Sequence, residues 1–119
     1  MTSKDLSLLN PRLHILCIEF LSKVPNAIVT ETWRDPARED QLHAQGITPA
    51  TGKTCKHCCL DDEGKPASKA FDFLLLDKGK IISDGTDPRY SEAGQIGKAL
   101  GLTWGGDFHK PDYDHFEIA

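Results

Sequence analysis

Apolar positions recur along this chain with two different periods. Leu13, Leu16, Phe20, Leu21 and Val24 follow the spacing of a helix, and Asn10-Pro11 before them is a helix start. Asn accepts hydrogen bonds from the free N–H groups of a first turn, and Pro tolerates the first helical position. The spacing predicts a helix over Pro11–Lys23, closed by Pro25, with one apolar stripe facing a core. Ala27–Glu31 follows as a short strand. Asp35-Pro36 repeats the start signal for a second helix from Ala37 to Gln45, stopped by Gly46. The stretch from Ile47 to Lys69 is rich in Gly, Pro, Thr and Lys and reads as a long loop. Loops of that length in compact domains are usually functional or mobile.

Ala70 to Leu76 is the strongest strand, and Lys78-Gly79-Lys80 turns it into Ile81-Ile82. Asp87-Pro88 opens a third helix, outlined by Tyr90, Ala93, Ile96, Gly97 and Leu100 and ended near Gly101. Trp104-Gly105-Gly106-Asp107-Phe108 is a glycine-permitted turn, and His115-Phe116-Glu117-Ile118 alternates as a last strand with His115 and Glu117 on one face. Helices and strands intermix without a βαβ rhythm. The expected class is α+β, with about three helices on a small, mainly antiparallel sheet.

Composition narrows the field of functions. A length of 119 residues is one domain, here taken as 1–119, so any function sits on this single unit. With 14 Lys+Arg against 18 Asp+Glu, a net charge of −4 and a pI near 5.7, a broad surface for nucleic acid or anionic lipid is not expected. No stretch approaches the roughly 18 apolar residues that span a bilayer, so no membrane insertion is expected. The first ten residues hold no basic segment followed by an apolar run, which predicts synthesis in the cytoplasm without a signal peptide. Cys55, Cys58 and Cys59 crowd around His57 while Cys17 stands apart, unlike a secreted disulfide framework.

Asp72 falls in the middle of an otherwise apolar strand. A buried carboxylate costs several kcal/mol unless it is paired, protonated or bound to a metal, so Asp72 calls for a partner. His57 and His115 are the natural candidates. Two imidazoles and a carboxylate are a three-ligand zinc set, which as a catalytic site keeps its fourth position open. Asp112 lies three residues before His115, within reach of that position as a general base, and Asp114 is its rival. Cys55-x-x-Cys58 offers a competing reading as a zinc knuckle in a non-catalytic binding module, although no second pair of ligands matches it.

Ordered along the chain, these residues resemble the D-Ala-D-Ala carboxypeptidase and L-alanyl-D-glutamate endopeptidase family, zinc peptidases of peptidoglycan stem peptides that include VanY-type phage endolysins. The resemblance is carried by Cys55-Lys56-His57, Ala70-Phe71-Asp72-Phe73, Trp104-Gly105-Gly106-Asp107-Phe108 and Asp112-Tyr113-Asp114-His115-Phe116-Glu117. An earlier block, Thr32-Trp33-Arg34 through Gln41 to Gly46, adds to it. Two departures stand out: His57 and Asp72 lie further apart than the family pattern has them, and Cys55 replaces a usual Ser.

The resemblance implies His57, Asp72 and His115 as zinc ligands, Asp112 as the base for the attacking water, and Arg34 as holder of the scissile carbonyl or its oxyanion. A surface salt bridge of Arg34 with Asp35 or Glu39 is the structural alternative. Trp104, Phe108 and His109 are candidates for substrate contact, with a core role open to the two aromatics and a solvated loop open to His109. Asp107 is read as an orienting carboxylate behind the ligands or as a carboxylate of the turn, in either case not as a ligand. The expected protein is a monomeric zinc endopeptidase of the L-Ala-D-Glu bond, of endolysin type, made in the cytoplasm and acting on the wall after release. A D-Ala-D-Ala carboxypeptidase of the same fold is the near alternative.

Overall fold

A computed structural model describes residues 4–46 and 56–119. The elements are helix α1 (Pro11–Lys23), strand β1 (Ala27–Glu31), α2 (Pro36–Ala44), β2 (Ala70–Asp77), β3 (Lys80–Ile81), α3 (Pro88–Ala99), β4 (Thr103–Trp104) and β5 (His115–Glu117). Short 3-10 turns occupy Leu6–Leu8, Lys56–Cys58 and Gly105–Asp107. Each α-helix begins at the cap-then-proline signal that the sequence carries. Asn10, Asp35 and Asp87 accept from the backbone N–H of Arg12, Ala37 and Arg89, and a proline opens the first turn in all three. A cap of this kind is typically worth about 1 kcal/mol.

The sheet runs β1-β2-β5-β4, with β3 also on β2, and every pairing is antiparallel. The α+β expectation holds. Boundaries move by a residue in places: α2 takes in Pro36 and leaves Gln45 as its cap, β2 reaches Asp77, and β3 begins at Lys80. Within the predicted loop, Leu60 bridges Pro66 and Ser68 bridges Leu9, so its second half is tied to the body of the protein.

Side chains of β2 alternate. Phe71, Phe73 and Leu75 are buried against Leu13, Cys17 and Phe20 of α1 and Tyr90 and Ala93 of α3. Phe20, Phe73 and Phe116 pack with ring centroids 4.9 to 5.2 Å apart, the center of the core. Along the same edge of β2, Tyr90 fills the gap between β5 and β3. Its hydroxyl accepts from the Leu75 N–H at 3.1 Å and donates to the Ile82 carbonyl at 2.8 Å, replacing strand partners that neither neighbour supplies. Asp72 and Leu74 point to the opposite face.

α3 approaches the sheet closely because two of its residues are glycine. A Cβ on Gly97 would stand 2.3 Å from the Phe116 ring, and one on Gly94 2.4 Å from Trp104. Trp104 is therefore a wall of the core, 5% exposed, with its Nε1 donating to the Tyr113 carbonyl. Of the two roles the sequence left open to it, core and substrate groove, its burial speaks for the core. No helix among the described residues is long and apolar enough to cross a membrane.

Candidate metal centre

Strand register assembles the site. Asp72 of β2 stands opposite Glu31 of β1 on one side and His115 of β5 on the other, so three polar residues form a row across the sheet face turned away from the core. His57 reaches the row from the 3-10 turn at Lys56–Cys58. That turn is anchored by main-chain bonds from Arg34 N–H to the His57 carbonyl and from Lys69 N–H to the Lys56 carbonyl, each 2.9 Å.

His57 Nε2 and His115 Nδ1 both face Asp72 Oδ1, at 3.2 and 3.0 Å. Donor atoms of these three residues all lie within 4.8 Å of one another, and both rings are buried. Ligands of a tetrahedral zinc with bonds near 2.0 Å are about 3.3 Å apart, so the donor set and its spacing fit zinc. The outer nitrogens are also held: His57 Nδ1 lies 2.7 Å from the Thr32 carbonyl, and His115 Nε2 lies 2.9 Å from Glu117 Oε1.

Electrostatics follow from this packing. Burial disfavours charge on Asp72, yet hydrogen bonds from His115 and His57 outweigh it and hold the carboxyl well below its usual range. Burial likewise works against a charged His115, but the carboxylates of Asp72 and Glu117 raise it to about 10. Asp112 sits at the open side, its side chain half exposed and its Oδ2 4.0 Å from His115 Nδ1. Asp114 is raised to about 8, first by burial and then by its hydrogen bond with Asp112. Asp72, Asp112 and Asp114 also bring carboxylate oxygens within 4.8 Å of one another. A cleft of about 210 Å³ opens beside them, lined by Leu74, Gly85, Pro111, Tyr113 and the two loop aspartates among others.

The remaining candidates divide. The Arg34 guanidinium is clamped by Glu31 and Glu39, which raise its pKa against the effect of burial, while Asp35 caps α2 instead. Phe108 lies against His115, centroids 5.7 Å apart, and His109 is exposed. Of the two readings of Asp107 the structure shows the turn carboxylate: it closes the 3-10 turn at Gly105–Asp107 and pairs with Lys98 Nζ at 2.8 Å on the surface. Glu117 occupies the orienting place instead, and the alternation of β5 was the signal for it. Cys55 lies outside the described residues. Cys58 is buried and Cys59 half-buried, and among the described residues no cysteine joins a metal-capable group.

The whole chain overlays the crystal structure of the L-Ala D-Glu endopeptidase ChiX of Serratia marcescens with a TM-score of 0.78, covering 100% of this chain and 89% of that one at 17% identity. The two chains thus share one α+β architecture. Residues 30–118 match the family model described as D-alanyl-D-alanine carboxypeptidase, and the chain belongs to that family. Among curated proteins it is similar to the peptidoglycan L-alanyl-D-glutamate endopeptidase CwlK of Bacillus subtilis (strain 168), 32% identical over 102 residues. That match covers 78% of this chain and 60% of the relative, so the chain spans less than two thirds of CwlK's length.

Proposed function

We propose that this chain is a zinc-dependent L-alanyl-D-glutamate endopeptidase of peptidoglycan stem peptides, of the endolysin type, made in the cytoplasm and acting on the wall after release. The observation that carries the metal reading is the convergence of His57 Nε2, His115 Nδ1 and Asp72 Oδ1 on one point of the sheet face. The choice of bond rests on the likeness to CwlK. His57, Asp72 and His115 would hold the ion, which when bound supplies Lewis acidity toward a carbonyl and toward water.

The chain's own groups do the rest. Asp112 is the base for the attacking water, because it is the half-exposed carboxylate on the open side of the ligands; Asp114 lies deeper and hydrogen-bonds to it. Arg34, fixed by Glu31 and Glu39, is the cation available to the carbonyl oxygen as negative charge develops there. Phe108 beside His115 and the cleft at Leu74 and Tyr113 give the peptide its walls. The protein is read as a monomer.

Digestion of purified peptidoglycan by the zinc-loaded protein, with and without a chelator, tests this by mass spectrometry of the fragments. New L-Ala carboxyl and D-Glu amino ends that vanish with chelator are the expected result. Release of terminal D-Ala alone assigns the carboxypeptidase activity that the family description carries. Intact wall after treatment with folded, zinc-containing protein overturns the peptidase reading.

A further inference from the structure

The two imidazoles of the site are restrained from outside by different kinds of acceptor. Behind His57 is a main-chain carbonyl, that of Thr32 just past the end of β1, at 2.7 Å. Behind His115 is a side chain, the carboxylate of Glu117, at 2.9 Å. A carbonyl and a carboxylate both accept, so the proton on each outer nitrogen is the one that is kept. The inner nitrogens are then His57 Nε2 and His115 Nδ1, opposite atoms of the ring, both turned to Asp72 Oδ1.

A neutral imidazole has one N–H and one lone pair, and a ring with its proton on Nδ1 would offer His115's lone pair to the wrong side. The Thr32 carbonyl is a main-chain group and cannot be lost to a side-chain substitution. Glu117 can. It stands two residues along β5 on the same face as His115, its side chain 20% exposed, and its pairing with Ala70 across the sheet sets where the carboxylate begins. Resting on the metal reading above, we propose that Glu117 is a positioning residue, which keeps the His115 proton on Nε2 and thereby makes Nδ1 the nitrogen offered to the ion. Outer partners of this kind typically change metal affinity about 10- to 100-fold.

The test compares the full chain with Glu117→Ala and Glu117→Gln. Zinc affinity is measured by competition with a chromophoric chelator, and the His115 tautomer in the zinc-loaded wild type by long-range proton–nitrogen correlation spectra. Glu117→Ala is expected to bind zinc about 10- to 100-fold more weakly. Glu117→Gln should recover much of that loss, because an amide oxygen still accepts from Nε2–H, and the wild-type spectrum should show Nε2 protonated. Denaturation midpoints of the metal-free proteins report whether either variant alters the fold.

Affinity of Glu117→Ala within twofold of wild type, an equal loss in both variants, or a protonated Nδ1 in the loaded wild type overturns the positioning role. Wild-type protein that takes up no zinc overturns the metal reading itself. Normal zinc uptake with an indifferent Glu117 overturns only this inference. Should Glu117→Ala fail to fold, the Gln variant and the wild-type spectrum still decide it.

Discussion

The two faces of β2 are built from consecutive residues and answer to different rules. Phe71, Phe73 and Leu75 on one face are buried among aromatic and aliphatic side chains, and what they contribute is area removed from water and close packing. Asp72, between Phe71 and Phe73, belongs to the other face and meets two imidazoles. Strand alternation places a stability determinant and a chemical group next to each other in sequence without mixing their environments. Substitutions on the first face should therefore be read in folding free energy, and substitutions on the second in chemistry.

The largest separation is expected from Phe116→Ala. Phe116 is fully buried on β5, stacked on Phe73 with rings 13° from parallel, and it fills the space that Gly97 leaves open. Truncation should cost about 3–5 kcal/mol of stability, measured as a shift of the urea midpoint of the metal-free protein. Its neighbour His115 is on the other face, so variant protein that remains folded should still take up zinc. A loss of under 1 kcal/mol would mean that the core is not centered on this ring cluster.

On the site face, Asp112→Ala should reverse the pattern. Asp112 is half exposed and outside the donor trio, so folding and zinc uptake should stay at wild-type levels. Hydrolysis of a soluble stem-peptide substrate should fall by about 10²- to 10⁴-fold, the usual contribution of a general base. Cleavage at the wild-type rate would move the base to Asp114, which shares a hydrogen bond with it.

The same contrast explains what was legible in the sequence. Helix starts were, because a cap residue followed by proline states its own geometry; α1 and β1 fall on their predicted bounds. Asp72 was legible because a carboxylate inside an apolar run must be compensated, and His57 upstream and His115 downstream are the partners it meets. Three things were not. The Thr32 carbonyl holds His57, and a main-chain group leaves no mark on composition. Trp104 reads equally as core or groove until the glycine at position 94 is seen beneath it. Asp107 sits in the motif turn, but its direction is set by Lys98 at the far end of α3, a contact that no local pattern encodes.

The smallest effect concerns Cys17, a thiol packed in the core beneath α1, and appears only in alkali. Cys17 is fully buried in α1, and burial alone raises its pKa from 9.0 to about 12. Its folded value lies above its unfolded one, so the unfolded state releases this proton first. The associated stability is fully present below about pH 9 and is lost as pH rises through about 12. Between those limits the loss approaches about 1.4 kcal/mol per pH unit, and at neutral pH it is nil. In metal-free, reduced protein, stability should decline less steeply from pH 9 to 11 in Cys17→Ala than in wild type. Ionisation of lysines, tyrosines and the other cysteines is common to both proteins and cancels in the comparison. The two curves should run parallel below pH 8, offset only by the lost side-chain packing, and converge above it. Parallel curves throughout would show that Cys17 ionises in the folded protein as readily as in the unfolded chain, and hence that water reaches the apolar face beneath α1.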